Sequence, residues 1–281
     1  MDNKIMLITG ANSGIGKAAA VALAEMGAHV VMLCRDPQKG EKARQEVIRS
    51  SRNNRVDLMI CDLASLESVR RFAAEFTSRY PRLDVLINNA GIYTSKRMET
   101  ADGFEYQIGV NHLGPFLLTG LLLDLLKESA PSRIINLASA AHVGGRMNFD
   151  DLQLTQGFSS WKSYARSKLA NVLFTYELAR KLTGTGVTVN CVHPGFVHTR
   201  FAYNREKNRP NFMMFLLRPF MISPARGAET VIYLAASPEV ENVTGKYFYK
   251  RRAKASSRVS YDLGDAERLW EVSTRLTGID G

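Results

Sequence analysis

The sequence predicts an α/β protein built on a doubly wound parallel sheet with helices on both faces. Two observations carry this reading. Short β-branched or apolar runs alternate with longer stretches of helical spacing, and the most distinctive polar and glycine-rich motifs follow directly after the short runs. The runs fall at 5–8, 29–33, 57–61, 85–88, 133–137 and 187–192. Each is too short for a typical helix and is bounded by turn or polar residues, as strands buried on both faces are. The helical stretches between them lie at 15–26, 37–50, 66–80, 103–126 and 160–183. In such sheets ligands bind beyond the carboxyl ends of the strands, where the strand order reverses.

The 281 residues are 45% apolar and 23% charged, ample material for a core. No low-complexity tract, internal repeat or Pro/Gly/Ser linker divides the chain, so one domain over 1–281 is expected. The formal charge of +10 favours anionic partners such as nucleotide phosphates or acidic lipid surfaces, with plain solubility as the competing reading. Nucleic acid is not expected, because no zinc-ligand spacing, RNP-like motif or helix-turn-helix is visible. Cys34, Cys61 and Cys191 lie far apart without a CxxC or a neighbouring histidine set, which predicts free thiols in a reducing compartment and no metal site. The first strand starts at about Lys4, which leaves no room for a signal peptide or membrane anchor in this sequence. A cytoplasmic protein, soluble or resting on a membrane surface, is expected.

The segment Thr9-Gly10-Ala11-Asn12-Ser13-Gly14-Ile15-Gly16 follows the first strand and opens a helix. Glycines there let the backbone turn sharply and approach a pyrophosphate, while the helix N-terminus supplies free N–H groups and a positive dipole end. The spacing is GxxxGxG rather than the common GxGxxG, and a plain glycine turn is the alternative. The second strand ends at Leu33-Cys34-Arg35. An acidic residue at such a place would accept from the ribose hydroxyls of NAD, which Cys34 cannot do. Arg35, with bidentate donors and a permanent charge, suits the 2′-phosphate of NADP(H). Asp36 next door and a solvated role for Arg35 are the counterweights. After the third strand, Asp62 has reach toward an adenine amino group, with a cap ahead of Leu66 as its other reading.

Tyr164 and Lys168 stand at i and i+4 on a predicted helix, hence on one face. An ammonium beside a phenol favours the phenolate and is expected to lower its pKa toward the working range of a general acid/base. By itself YxxxK is a weak signal, and an exposed helix pair is its alternative. Ser139 follows the strand at 133–137, where its hydroxyl would hold a substrate carbonyl beside the tyrosine. Asn111 lies in a predicted helix although asparagine is not a favoured helix residue, which points to a fixed polar task such as ordering a proton-relay water.

With these residues in order, the chain resembles the short-chain dehydrogenase/reductase family, and within it the retinol-dehydrogenase-like branch. The resemblance rests on the TGANSGIG loop, CRD at 34–36, CDL at 61–63, NNAG at 88–91, VNHLGPF at 110–116, the Ser139 segment leading into AHVGG, YARSK at 164–168 and HPGFVHT at 193–199. The tail GKYF at 245–248 and the AERLWEVS helix at 266–273 fit the same branch. It implies a Rossmann-type fold with Tyr164 as proton donor in reduction and acceptor in oxidation. Lys168 would lower its pKa and hold the nicotinamide ribose, Ser139 would position the substrate oxygen, and Asn111 would bind the relay water. NADP(H) would lie along Gly10, Asn12, Ser13, Gly14, Ile15 and Gly16, then beside Arg35, Asp62 and Leu63. Asn89, Ala90 and Gly91 would line its cleft and brace the central strand, with Pro194, Gly195 and Thr199 bordering the nicotinamide. A substrate lid at about 200–225 and a C-terminal extension at about 245–281 would complete the domain.

The resemblance also places a dimer interface on the helices at 103–126 and 160–183. Two departures stand out. Many relatives carry a serine pair where this chain has Ala138-Ser139, and membrane-bound retinol dehydrogenases carry an N-terminal hydrophobic anchor that this sequence does not show. Retinoid specificity does not travel with the fold. The segment 201–222 is rich in Phe and Met and punctuated by Arg205, Lys207, Arg209 and Arg218, which suits an apolar pocket with bases facing water or lipid phosphates. A second basic cluster, Lys250, Arg251, Arg252 and Lys254, hints at peripheral contact with an acidic membrane or is a solvated loop. His142 and His193 near the site are expected to be loop and packing residues. The expected activity is hydride transfer between NADP(H) and an apolar aldehyde, ketone or alcohol. The rival readings are an NADP(H)-binding regulatory or scaffold protein with little turnover, and a membrane-surface interaction protein.

Overall fold

In the computed structural model of the chain, β1 (Ile5–Thr9), β2 (His29–Cys34), β3 (Val56–Ile60), β4 (Val85–Asn88), β5 (Ser132–Leu137) and β6 (Val187–Val192) pair in parallel. A further parallel strand, β7 (Lys246–Tyr249), and an antiparallel edge strand, β8 (Arg252–Lys254), complete an eight-stranded sheet in the order β8-β7-β6-β5-β4-β1-β2-β3. The structure describes residues 1–197 and 222–279, together with the backbone of a small antiparallel pair, Tyr203–Asn204 and Arg209–Pro210. Most of the lid expected at about 200–225 lies outside the described residues, as does Thr199.

Both sheet faces are covered, which is why the strands read as continuous apolar runs. Successive side chains alternate: Ile5 and Leu7 enter one core, Met6 and Ile8 the other. On the second side lie α1 (Gly14–Glu25), α2 (Pro37–Ser51) and, beside α1, α8 (Pro224–Ala236). On the first lie α3 (Leu66–Arg79), α5 (Gly114–Leu121) and α7 (Ser160–Lys181). Side-chain caps hold the starts of α2, α3, α7 and α8 through Asp36, Ser65, Ser159 and Ser223.

The stretch expected as one helix over 103–126 is broken. It contains α4 (Tyr106–Ile108), a π-turn at Gly109–Leu113, α5 and α6 (Leu123–Glu128). Gly114-Pro115 carries the chain from the π-turn into α5, and Pro115 supplies no N–H to the turn before it. Over the outer faces of α5 and α7 lies α9 (Leu263–Thr277), whose Trp270 ring is 5.1 Å from Phe116 and 6.1 Å from Phe174. Lys181 lies over the same indole and Arg180 pairs with Glu267 at 3.0 Å. The chain's own C-terminal helix thus packs on α5 and α7, which belong to the two stretches on which the resemblance places a dimer interface. Among the described residues no helix is long and apolar enough to cross a membrane.

Candidate active site

After β3 the chain returns across the sheet to place β4 beside β1, so the strand order reverses between them. The loops after β1 and β4 flank the crevice that such a reversal opens. Gly10 has a φ of 66°, and a Cβ there would approach Ala90 Cα at 3.0 Å. Gly16 has no room for a side chain: an added Cβ would meet Asn89 Nδ2 at 2.4 Å and the Gly10 carbonyl at 2.6 Å. The two loops are tied together, since Asn89 Nδ2 donates to the Thr9 carbonyl at 2.7 Å and the Ala90 N–H to Thr9 Oγ1 at 2.9 Å.

Ser13 precedes α1 in extended conformation, its side chain makes no cap hydrogen bond, and no acidic residue stands in the first turn. The first turn of α1, which follows the Gly10 loop, therefore keeps N–H groups without a side-chain cap and a positive dipole end without a compensating carboxylate. This cradle fits a pyrophosphate. Arg35 stands exposed just past β2, where it donates to the Tyr106 hydroxyl at 2.9 Å. Asp36 is engaged elsewhere: it caps α2 through the Lys39 N–H at 3.0 Å and pairs with the Lys39 ammonium, which holds its carboxyl below the usual carboxylate range. Asp62 accepts from the Ala64 N–H at 3.0 Å in its own turn, and Leu63 is buried beside it. The cap of α3 is Ser65, not Asp62.

Tyr164, Lys168, Asn171 and Thr175 share one face of α7 at i, i+4, i+7 and i+11. The Ser139 hydroxyl hydrogen-bonds the Tyr164 phenol in the sense that favours phenolate, while burial outweighs it and pushes the pKa up to about 12. Lys168 is 4% exposed, and burial pulls its pKa down to about 8. Its ammonium donates to the Leu137 carbonyl at 2.9 Å and lies 5.8 Å from the centre of the Tyr164 ring. Asn171 Nδ2 donates to the same carbonyl at 3.0 Å. YxxxK is therefore no exposed helix pair. The expected lowering of the phenol pKa is not found, because desolvation of the phenol exceeds the effect of its neighbours.

Asn111 sits inside the π-turn, a form that recurs at functional sites. Its Oδ1 accepts from the Ile92 N–H at 2.7 Å, and Nδ2 donates to the Ile92 carbonyl and to Ser167 Oγ, each at 3.0 Å. Both amide hydrogens are thus engaged, which leaves Oδ1 a second lone pair. Gly91 lies between: a Cβ there would be 3.4 Å from Lys168 Nζ and 3.5 Å from Asn111 Oδ1. Beyond β6, Pro194 and Gly195 follow the carboxyl end of the strand, and Gly195 has a φ of 92°.

Sequence reasoning missed several participants. His142, expected as a loop and packing residue, is buried against Tyr247 in the turn after β5, and its hydrogen bonds add a link that the sequence did not reveal. Its Nδ1–H donates to the Ser139 carbonyl at 2.6 Å, and Nε2 accepts from the Ser257 N–H at 3.0 Å, which ties the Ser139 turn to the C-terminal extension. Glu105, 1% exposed, caps α4 and accepts from Ser163 Oγ at 2.8 Å, which locks α4 to the start of α7. Tyr93 and Trp161 stand beside Tyr164 with ring centres 5.6 and 6.5 Å away, and both are exposed, as are Val143 and Phe196. Only Asn171 and Thr175 carried a usable signal, the shared helix face. His193 stacks on Tyr249 at 5.0 Å, as a packing residue does. The three cysteines are free and buried, and burial raises each thiol pKa to about 11 or 12.

The family model described as short chain dehydrogenase matches residues 4–210. Human retinol dehydrogenase 14 is 46% identical over 300 residues, covering 99% of this chain and 88% of its own. Human retinol dehydrogenase 13 is 46% identical over 282 residues, covering 99% and 85%. Among solved structures, an uncharacterized protein from Mycobacterium paratuberculosis superposes with a TM-score of 0.80 at 36% identity, covering 99% of this chain and 94% of that one. A short chain dehydrogenase from Shigella flexneri complexed with NADP gives 0.70 at 26%, covering 88% and 97%. The crevice, the uncapped helix end and the Ser139–Tyr164–Lys168 cluster therefore stand in a chain that belongs to the short-chain dehydrogenase/reductase family of oxidoreductases, in its retinol-dehydrogenase-like branch.

Proposed function

We propose that the chain is a single-domain NADP(H)-dependent reductase of apolar aldehydes and ketones. The observation that carries the reading is the Tyr164 phenol, hydrogen-bonded by Ser139, backed by the Lys168 ammonium and flanked by the exposed rings of Tyr93 and Trp161. An apolar rim with a few convergent polar groups suits a large apolar molecule with one reactive oxygen. The retinol dehydrogenases among its relatives support the same substrate class, and the NADP complex of a structural relative supports the phosphorylated cofactor.

The residues divide the work as follows. The nicotinamide, when bound, supplies the hydride in reduction or receives it in oxidation. Gly10, Asn12, Ser13, Gly14, Ile15 and Gly16 would hold the pyrophosphate, Arg35 the 2′-phosphate, and Asp62 and Leu63 the adenine. Asn89, Ala90, Gly91, Pro194, Gly195 and Thr199 would line the remainder. Ser139 holds the carbonyl oxygen beside Tyr164, which gives it a proton. Burial keeps the phenol protonated, so it is ready to donate to a carbonyl oxygen in reduction. Lys168 stabilises the phenolate that forms and would bind the nicotinamide ribose. A water between Asn111 Oδ1 and Lys168 Nζ, in the gap Gly91 leaves open, would return the proton. Three buried thiols suit a reducing compartment, so the reading places the protein in the cytoplasm, dissolved or resting on a membrane surface.

The test is NADPH oxidation beside NADH oxidation over short, aromatic and long-chain aldehydes, retinal included. Preference for NADPH with long apolar aldehydes is the expected result. Preference for NADH would overturn the cofactor assignment, and tight NADPH binding without turnover on any carbonyl would make the chain a binding protein.

A further inference from the structure

The Arg35 guanidinium is exposed, and among the described residues no carboxylate pairs with it, because Lys39 holds the neighbouring Asp36. Among the described residues its one side-chain partner is the hydroxyl of Tyr106, at 2.9 Å, seventy-one residues along the chain. The two ends of this contact differ in character. Arg35 reaches out from the end of β2 on a long flexible stem, whereas the Tyr106 ring is only 9% exposed and packs in the core beneath. Tyr106 is also fixed by its backbone. Its N–H donates to the Met98 carbonyl at 2.9 Å, and Glu105 before it caps α4 and accepts from Ser163, next to Tyr164 on α7. The phenol is thus a fixed point across from the end of β2, joined through α4 to the helix that carries the reactive tyrosine.

We propose that Tyr106 is a specificity-positioning residue that presents Arg35 to the 2′-phosphate of the cofactor. The inference rests on the reading of Arg35 as the ligand of that phosphate. One guanidinium N–H given to a fixed acceptor removes rotamer freedom that binding would otherwise have to remove, while the other donors stay available to an anion. A phosphate dianion accepting from the free edge of the fork gains a preorganised bidentate partner. A cofactor with a 2′-hydroxyl makes no charge-assisted contact there, so it gains little from the same arrangement. Tyr106 therefore acts on the choice between NADPH and NADH without touching either.

The test uses the full chain and four proteins: wild type, Tyr106→Phe, Arg35→Gln and the double variant. Kd for NADPH and for NADH is measured by fluorescence titration, alongside KM and kcat with one aldehyde. Phenylalanine keeps the buried ring, so the fold is expected to hold. Tyr106→Phe should weaken NADPH binding about fivefold, the size of one lost hydrogen bond to a partly exposed charged group, with NADH binding and kcat unchanged. In the Arg35→Gln background the same substitution should have no further effect, since the two act through one contact. If Arg35→Gln abolishes NADPH preference while Tyr106→Phe leaves it intact, or weakens both cofactors equally, the role of Tyr106 is overturned and that of Arg35 survives. If Arg35→Gln itself leaves the preference unchanged, the Arg35 reading fails and this inference with it.

Discussion

Replacing Lys168 by methionine removes an ammonium that the fold buries almost completely and pairs with no carboxylate within ion-pair distance among the described residues. Burial lowers the lysine pKa from 10.5 to about 8, which at about 1.4 kcal/mol per pH unit makes the charged form cost roughly 3 kcal/mol near pH 7. Methionine keeps the unbranched apolar stem and loses the hydrogen bond to the Leu137 carbonyl, worth about 1 kcal/mol. That carbonyl is not orphaned, because Asn171 still donates to it. A net gain of about 1–3 kcal/mol at pH 7 follows for Lys168→Met, with turnover lost.

The sign with pH is definite. The folded pKa lies below the unfolded one, so between about 8 and 10.5 the unfolded chain binds more protons and wild-type stability rises with pH. The advantage of the variant should therefore be full below pH 8 and gone above about 10.5. Urea unfolding of both proteins, without cofactor, at pH 7 and at pH 10.5 reads it directly. A variant less stable than wild type at pH 7, or a gap that does not change with pH, would refute the argument that Lys168 is kept at a cost in stability.

Three further expectations concern the chemistry. The value of kcat/KM for carbonyl reduction should hold below about pH 8 and fall above it as Lys168 loses the charge that stabilises the phenolate; a rate that climbs through pH 8 would contradict this. Trp161→Ala should lower kcat/KM for long apolar aldehydes about tenfold and leave short ones nearly unchanged, as loss of an apolar wall does. An equal loss for both would mean that Trp161 supports Tyr164 rather than the substrate. His142→Ala should loosen the Ser139 turn and reduce kcat more than it raises the KM for aldehyde, a split that steady-state kinetics resolves.

Much of the fold was legible because its parallel strands are buried on both faces. The runs at 85–88 and 187–192 coincide with β4 and β6, three others differ from the structure by one residue at one end, and 57–61 is shifted by one residue at both ends. The helix at 103–126 misled because its apolar spacing continues through Gly109, Asn111 and Gly114-Pro115, where the backbone widens into the π-turn. Helix α8 and strand β7 were harder to see. The first follows the lid without an intervening strand signal, and the second has only four residues.

The site was legible where its residues share a local period, as Tyr164 and Lys168 do on α7. It was illegible where contacts join distant segments. Arg35 with Tyr106, His142 with Ser257, and Glu105 with Ser163 have no local spacing to betray them. The pKa expectation for Tyr164 went the wrong way for a related reason. Spacing reveals the neighbouring ammonium, while burial, which dominates, depends on the whole fold.

The most direct test of the account is Tyr164→Phe, assayed for turnover and for cofactor binding in the same preparation. Phenylalanine preserves the ring that Tyr93 and Trp161 pack against and removes only the proton donor. The account predicts turnover lowered by at least about a hundredfold, the lower end of what a positioned general acid contributes, with NADPH binding nearly unchanged. A variant that keeps more than a few per cent of the wild-type rate would contradict the assignment of Tyr164 as the residue that moves the proton.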